Sequence, residues 1–224
     1  ERAGRRGLGI PTDVAEHAQV DAAADRVEAE LGPIAAWVNN TMVGVFGEFR
    51  STEHADFERA LQVNFVGYAN GTRAALRVMQ SRDAGTIVQV GSALAHRGIP
   101  LQASYCAAKH AIVGFTESVT TELLHQKSKV TISQVDMPAM NTMQFEWVES
   151  QLPHHPMPVA PIYQPEICAA VVVDTVLKPR RRTWVGEPTV AVVVGNRIAS
   201  RVADWYLGRT GYSGQQAPEH RTPM

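Results

Sequence analysis

The stretch Thr86-Ile87-Val88-Gln89-Val90-Gly91, closed by Ser92, decides the fold. An apolar, β-branched run of this length reads as a parallel strand buried on both faces, and open α/β sheets carry out chemistry at the C-terminal ends of such strands. Downstream, in Tyr105-Cys106-Ala107-Ala108-Lys109, a phenol and an ammonium stand four residues apart. Positions i and i+4 share a helix face, so both groups point at one spot. Hydroxyl, phenol and ammonium meet at the sheet's rim, which is the pattern of an enzyme site.

Working outward, apolar strands alternate with amphipathic helices. Short strands are predicted at Leu8-Gly9-Ile10, Ile34 to Val38 and Val130 to Val135. Helices are predicted from about Ala15 to Leu31, from Ser51 or Thr52 through Phe57, Leu61 and Phe65 to Met79, and from Ala103 to His125. This βαβα alternation calls for one α/β domain, a doubly wound parallel sheet with helices on both faces. The proline-rich run 151–164, with His154-His155, is expected to be a loop that contacts substrate. Adjacent histidines there lack a third ligand at usable spacing, so no metal site is expected.

The 224 residues carry a formal charge of −1, and 45% of them are hydrophobic. A chain of this size can bury a substantial core, and its charge gives no field that would favour nucleic acid or an anionic membrane. Its one basic run, Lys178-Pro179-Arg180-Arg181-Arg182, reads as a solvated loop. Two cysteines, Cys106 and Cys168, make no disulfide framework, so reduced thiols and a cytoplasmic location are expected. No apolar run reaches the roughly 18 residues of a membrane span.

Ser92, Tyr105 and Lys109, in this order and on these elements, resemble the short-chain dehydrogenase/reductase family, and the resemblance extends over essentially the whole chain. It implies a Rossmann-like fold, NADP or NAD as cofactor, and a small carbonyl or alcohol substrate. Asn64, in Val63-Asn64-Phe65-Val66-Gly67, matches the asparagine that completes the family's catalytic tetrad. Asp13-Val14 resembles the pair that contacts adenine, and Asn39-Asn40 stands where the family has Asn-Asn-Ala-Gly. Pro138 and Thr142, in Pro138-Ala139-Met140-Asn141-Thr142, resemble the Pro-Gly segment and the threonine that meets the nicotinamide carboxamide. By the same resemblance, Lys109 grips the nicotinamide ribose and the helices from Phe57 and Ala103 pair with another subunit, giving a homodimer or homotetramer. Tyr68, Ala69, Gly71 and Ala75 facing Ala107, Ala111 and Phe115 would allow such close packing; burial within the chain explains them equally.

Three departures stand out. Thr41-Met42 and Ala139 replace family residues that include a glycine permitting positive φ. The family's first strand, glycine-rich turn and helix do not appear ahead of Glu1, so Leu8-Gly9-Ile10 would lack a sheet neighbour, the strand from Ile34 would be an apolar edge, and cofactor affinity is expected to be poor. Without those residues NAD and NADP are not distinguished. Phe46, Phe49, Ile99, Leu101, Met143, Phe145 and Trp147 are candidates for an apolar substrate pocket. The expected chemistry is reversible hydride transfer, with Tyr105 as proton donor or acceptor and Lys109 lowering the phenol from its usual pKa of about 10. A catalytically silent relative serving as a binding module is the alternative.

Overall fold

The computed structural model describes residue 4 and residues 6–220. The chain opens with α1 (His17–Leu31), β1 (Ala36–Asn39), β2 (Val45–Phe46) and α2 (His54–Leu61). A π-turn over Gln62–Val66 leads into α3 (Gly67–Gln80), followed by β3 (Thr86–Ser92), a 3-10 turn at Ala93–Ala95, α4 (Ala103–His125) and β4 (Thr131–Met137). The remainder comprises α5 (Gln144–Trp147), β5 (Glu149–Ser150), β6 (His154–Pro156), α6 (Pro165–Leu177), β7 (Arg182–Trp184), α7 (Gly186–Thr210), a 3-10 turn at Ser213–Gln215 and β8 (Gln216–His220).

The central sheet has the order β1-β3-β4-β7, and every pairing in it is parallel. All seven residues of β3 are buried, as the apolar run required. Alternate residues of this strand serve opposite faces. Ile87 joins Val20, Ala24, Ala75, Met79 and Leu123 under α1, α3 and α4. Val88 and Val90 join Val135, Cys168 and Val185 on the side of α6. Helices therefore cover both faces.

Three expectations change. Leu8-Gly9-Ile10 is not a strand, because a strand exists only through ladder partners and β1 pairs with β3 alone among the described residues. The helix predicted to run unbroken to Met79 contains the π-turn. The run 151–164 is not entirely loop: its His154–Pro156 piece pairs antiparallel with β8, and Pro156 takes an edge position that needs no donated hydrogen bond.

Candidate active site

Ser92 ends β3, opposite Met137 at the end of β4, so its hydroxyl sits at the rim where the chain leaves the sheet. There it accepts a hydrogen bond from the Leu94 amide at 3.1 Å, which fixes its rotamer and opens the 3-10 turn. Tyr105 lies in the first turn of α4, near enough to the Ser92 hydroxyl for that group to act on its phenol. Lys109, one turn later, is buried, with its Nζ 5.6 Å from the centre of the Tyr105 ring. The structure thus brings Ser92, Tyr105 and Lys109 together.

The electrostatics differ from expectation. Burial pushes the Tyr105 phenol up to about 12, against the opposing pull of the Ser92 hydroxyl; smaller upward contributions come from Cys106 and Asp136. Burial pulls Lys109 down to about 7, opposed by the Asp136 carboxylate. The ammonium does not bond Tyr105. It donates to the Val90 carbonyl at 2.8 Å and to the Tyr68 hydroxyl at 3.1 Å. Desolvation dominates, so the expected lowering of the Tyr105 pKa by Lys109 is absent in this arrangement.

Sequence reasoning placed Tyr68 on a packing face and missed its contact with Lys109. Tyr68 is 1% exposed, and its hydroxyl donates to the Val90 carbonyl at 2.9 Å while accepting from Lys109. Its burial raises its phenol far above the ordinary range, so it stays neutral. Of the packing set, Tyr68, Gly71 and Ala75 are buried within this chain, as the competing explanation has it. Gly71 is needed there, because a Cβ would sit 2.2 Å from the Asn39 side-chain oxygen.

A second missed group is Asp136, wholly buried in β4. Its carboxylate meets His96 Nε2 at 2.8 Å and accepts from Gln134 Nε2 at 2.6 Å. Gly91 makes room for it: a Cβ on Gly91 would lie 2.0 Å from Asp136 Oδ1. A carboxylate at the C-terminal end of a buried strand was the available signal, since such a charge must have partners.

Asn64 sits inside the π-turn and clamps the loop after β1. Its Oδ1 accepts from the Val43 amide at 2.8 Å and its Nδ2 donates to the Val43 carbonyl at 2.7 Å. Asn39 turns inward, where Trp37 donates to its Oδ1 at 2.8 Å and its Nδ2 donates to Gln89 at 2.8 Å and Thr72 at 3.2 Å. That side chain is committed to the core, whereas Asn40 is exposed at the strand end. Asp13 accepts from the Ala15 amide and from Arg59, both of which hold its carboxyl below the usual range. Val14 lies against Gly67 at the start of α3. Pro138 is buried just past β4, and Thr142 Oγ1 is buried without a hydrogen-bond partner among the described residues.

The replaced glycine leaves no strain. Among the described residues only Asp83, Leu101 and Lys127 are non-glycine with positive φ, so Met42 and Ala139 adopt ordinary backbone. Of the apolar candidates, Phe46 and Leu101 are buried, Phe46 and Phe145 pack with ring centres 6.2 Å apart, and Phe49, Met143 and Trp147 are exposed. The β2–β5 pairing joins these two loops beside Leu101, whose carbonyl accepts from the Gly47 amide at 3.0 Å. A hollow of about 440 Å³ lined by Pro33, Gly85, Thr86 and Lys129 lies at the opposite, N-terminal ends of the strands, away from this chemistry.

Comparison with known proteins gives the family and the fold. The chain is 28% identical over 222 residues to the uncharacterized oxidoreductase YxnA of Bacillus subtilis, covering 98% of this chain and 62% of that protein. It is 36% identical over 129 residues to the inactive 2-(S)-hydroxypropyl-CoM dehydrogenase 2 of Xanthobacter autotrophicus, covering 58% of this chain and 56% of that one. The chain thus spans roughly three fifths of these relatives. A short chain dehydrogenase/reductase from Burkholderia phymatum, solved in complex with NAD, shares the fold with a TM-score of 0.77 at 20% identity, covering all of this chain and 82% of its own. Residues 1–152 match the family described as short chain dehydrogenase, more than half of the chain's length. This protein therefore belongs to the short-chain dehydrogenases.

Proposed function

We propose that the protein is an NAD(P)-dependent oxidoreductase that interconverts a carbonyl and a secondary alcohol on a small, lipophilic substrate. The observation that carries this reading is the convergence of Ser92, Tyr105 and Lys109 at the C-terminal ends of β3 and β4, where doubly wound sheets bind ligands. A nicotinamide cofactor fits this rim: the unpartnered Thr142 hydroxyl supplies a hydrogen-bonding group beside it, and the relative of like fold was solved with NAD. When bound, the cofactor would supply or accept the hydride. Thr142, Pro138, Asp13, Val14 and the main chain at Asn39 and Asn40 would hold it.

The chain's own residues handle the substrate oxygen and its proton. Ser92 Oγ, locked by the Leu94 amide, hydrogen-bonds the oxygen and keeps it near Tyr105. In reduction the Tyr105 hydroxyl gives its proton to the developing alkoxide; in oxidation it takes the alcohol's proton. A phenol held near 12 carries its proton at neutral pH, as donation requires. Proton removal requires Lys109 to be charged and to turn from Tyr68 toward Tyr105, which lowers the phenol's pKa. Asn64 supports the site by pinning Val43. Phe46, Leu101 and Phe145 form the apolar side that favours a lipophilic substrate.

A second reading, a silent binding module, is favoured by one observation: the lysine ammonium is bonded to Tyr68 and Val90. The full-length protein incubated with NADH or NADPH and a panel of aliphatic and cyclic ketones tests both. Oxidation of reduced cofactor supports the enzyme. Tight cofactor binding without turnover of any ketone supports the module.

A further inference from the structure

A surface helix ordinarily turns its apolar residues inward. Helix α7 does the reverse. The inner side offers Thr189 and Val193 to the core, and Asn196 hydrogen-bonds the loop after Ser92, donating to the His96 carbonyl at 2.7 Å and accepting from Arg97 at 3.0 Å. The outer side exposes Val190, Val194, Ile198, Val202, Trp205 and Tyr206, with Ile198 80% and Val202 63% exposed. The helix is interrupted at Ala199, and both halves carry the row. The row from Val190 to Tyr206 spans 17 residues, about 25 Å of helix, a long apolar face to leave against water.

The charges beside the row identify what covers it. Arg197 and Arg201 are exposed and have no ion-pair partner among the described residues. The Arg209 guanidinium lies 4.1 Å from the centre of the Trp205 ring. No acidic residue occurs between Glu187 and Asp204, and Asp204 is already paired with Arg97. A second copy of this face, paired antiparallel about Ile198, would set Arg197 and Arg201 beside their own copies, and only Arg209 would meet a carboxylate, that of Glu187. Among the described residues no helix is long and apolar enough to cross a membrane, so this one can only lie flat.

We infer that the outer face of α7 docks the protein onto an anionic lipid surface. Apolar side chains enter the headgroup boundary, Trp205 and Tyr206 sit at the interface, and the arginines meet lipid phosphates and carboxylates. The inner face of the same helix holds the Ser92 loop, so docking sets the candidate active site close to the bilayer. Peripheral attachment needs neither a net positive charge nor a membrane span, the two features whose absence argued against a membrane partner in the sequence.

The test is co-sedimentation of the full-length protein with phosphatidylcholine vesicles, with and without phosphatidylserine. Binding is expected on the anionic vesicles, falling at least about ten-fold in Ile198→Glu, in Arg197→Glu/Arg201→Glu, and in high salt. Because these side chains are exposed, melting curves of the variants should match the wild type, which separates lost docking from lost folding. Wild-type protein left in the supernatant with anionic vesicles would overturn the inference. So would an Ile198→Glu variant that dissociates a dimer while binding vesicles as before, since the face would then belong to a second copy.

Discussion

Replacing Tyr68 by Phe removes one oxygen and leaves the ring in place, so it isolates the hydrogen bonds around Lys109. The Val90 carbonyl keeps its bond from Lys109, but the amine loses its second acceptor. At pH 6, below the lysine's value of about 7, the amine is charged and the lost bond is charge-assisted, a loss of about 1.5–3 kcal/mol. At pH 9 the amine is neutral and the same deletion costs about 0.5–1.5 kcal/mol. The sign follows from linkage: an ammonium deprived of an acceptor binds its proton less tightly, so the folded-state pKa falls further, by about one unit per 1.4 kcal/mol of difference between the two pH values. Tyr68 itself is protonated at both. Urea titrations of wild type and variant in parallel measure both losses. Equal loss at pH 6 and pH 9, or none at either, would refute the placement of the ammonium on Tyr68.

Other consequences follow from the same contacts. Gly91→Ala should abolish soluble expression or cost several kcal/mol in unfolding titrations, because its Cβ meets the Asp136 carboxylate at 2.0 Å in a close-packed interior. Lys109→Met should be compared with wild type across pH: the folded lysine titrates near 7 and the unfolded one near 10.5, so the unfolded chain binds the extra proton between these values. Wild-type stability should therefore rise relative to the variant through that window, by up to about 1.4 kcal/mol per pH unit, and a flat difference in chemical denaturation would contradict it. Thr142→Val should raise the melting temperature of the cofactor-free protein, by removing a buried hydroxyl that has no partner, while weakening cofactor binding several-fold by fluorescence titration.

Much of this was legible in the chain. The buried strand showed itself as an unbroken apolar run, and the rim triad needed only Ser92 at the strand's end and two residues one helical turn apart. Local patterns carry local geometry. What stayed hidden depended on partners distant in sequence: Tyr68 and Lys109 are separated by 41 positions, and His96 and Asp136 by 40. The π-turn at Asn64 was invisible because one widened turn leaves the apolar spacing of its flanks unchanged. Leu8-Gly9-Ile10 shows the opposite limit, an apolar tripeptide that is no strand when nothing pairs with it. The α7 row, read as sequence, looks like core; only the topology shows that its apolar side faces out.

The central claim is that Tyr105 moves a proton to or from a substrate oxygen held by Ser92. It is tested most directly by Tyr105→Phe in the full-length protein, with cofactor affinity and ketone-dependent oxidation of reduced nicotinamide measured on one preparation. The predicted result is turnover lower by about 10²-fold or more with cofactor affinity unchanged. Turnover equal to wild type in that variant would contradict the account.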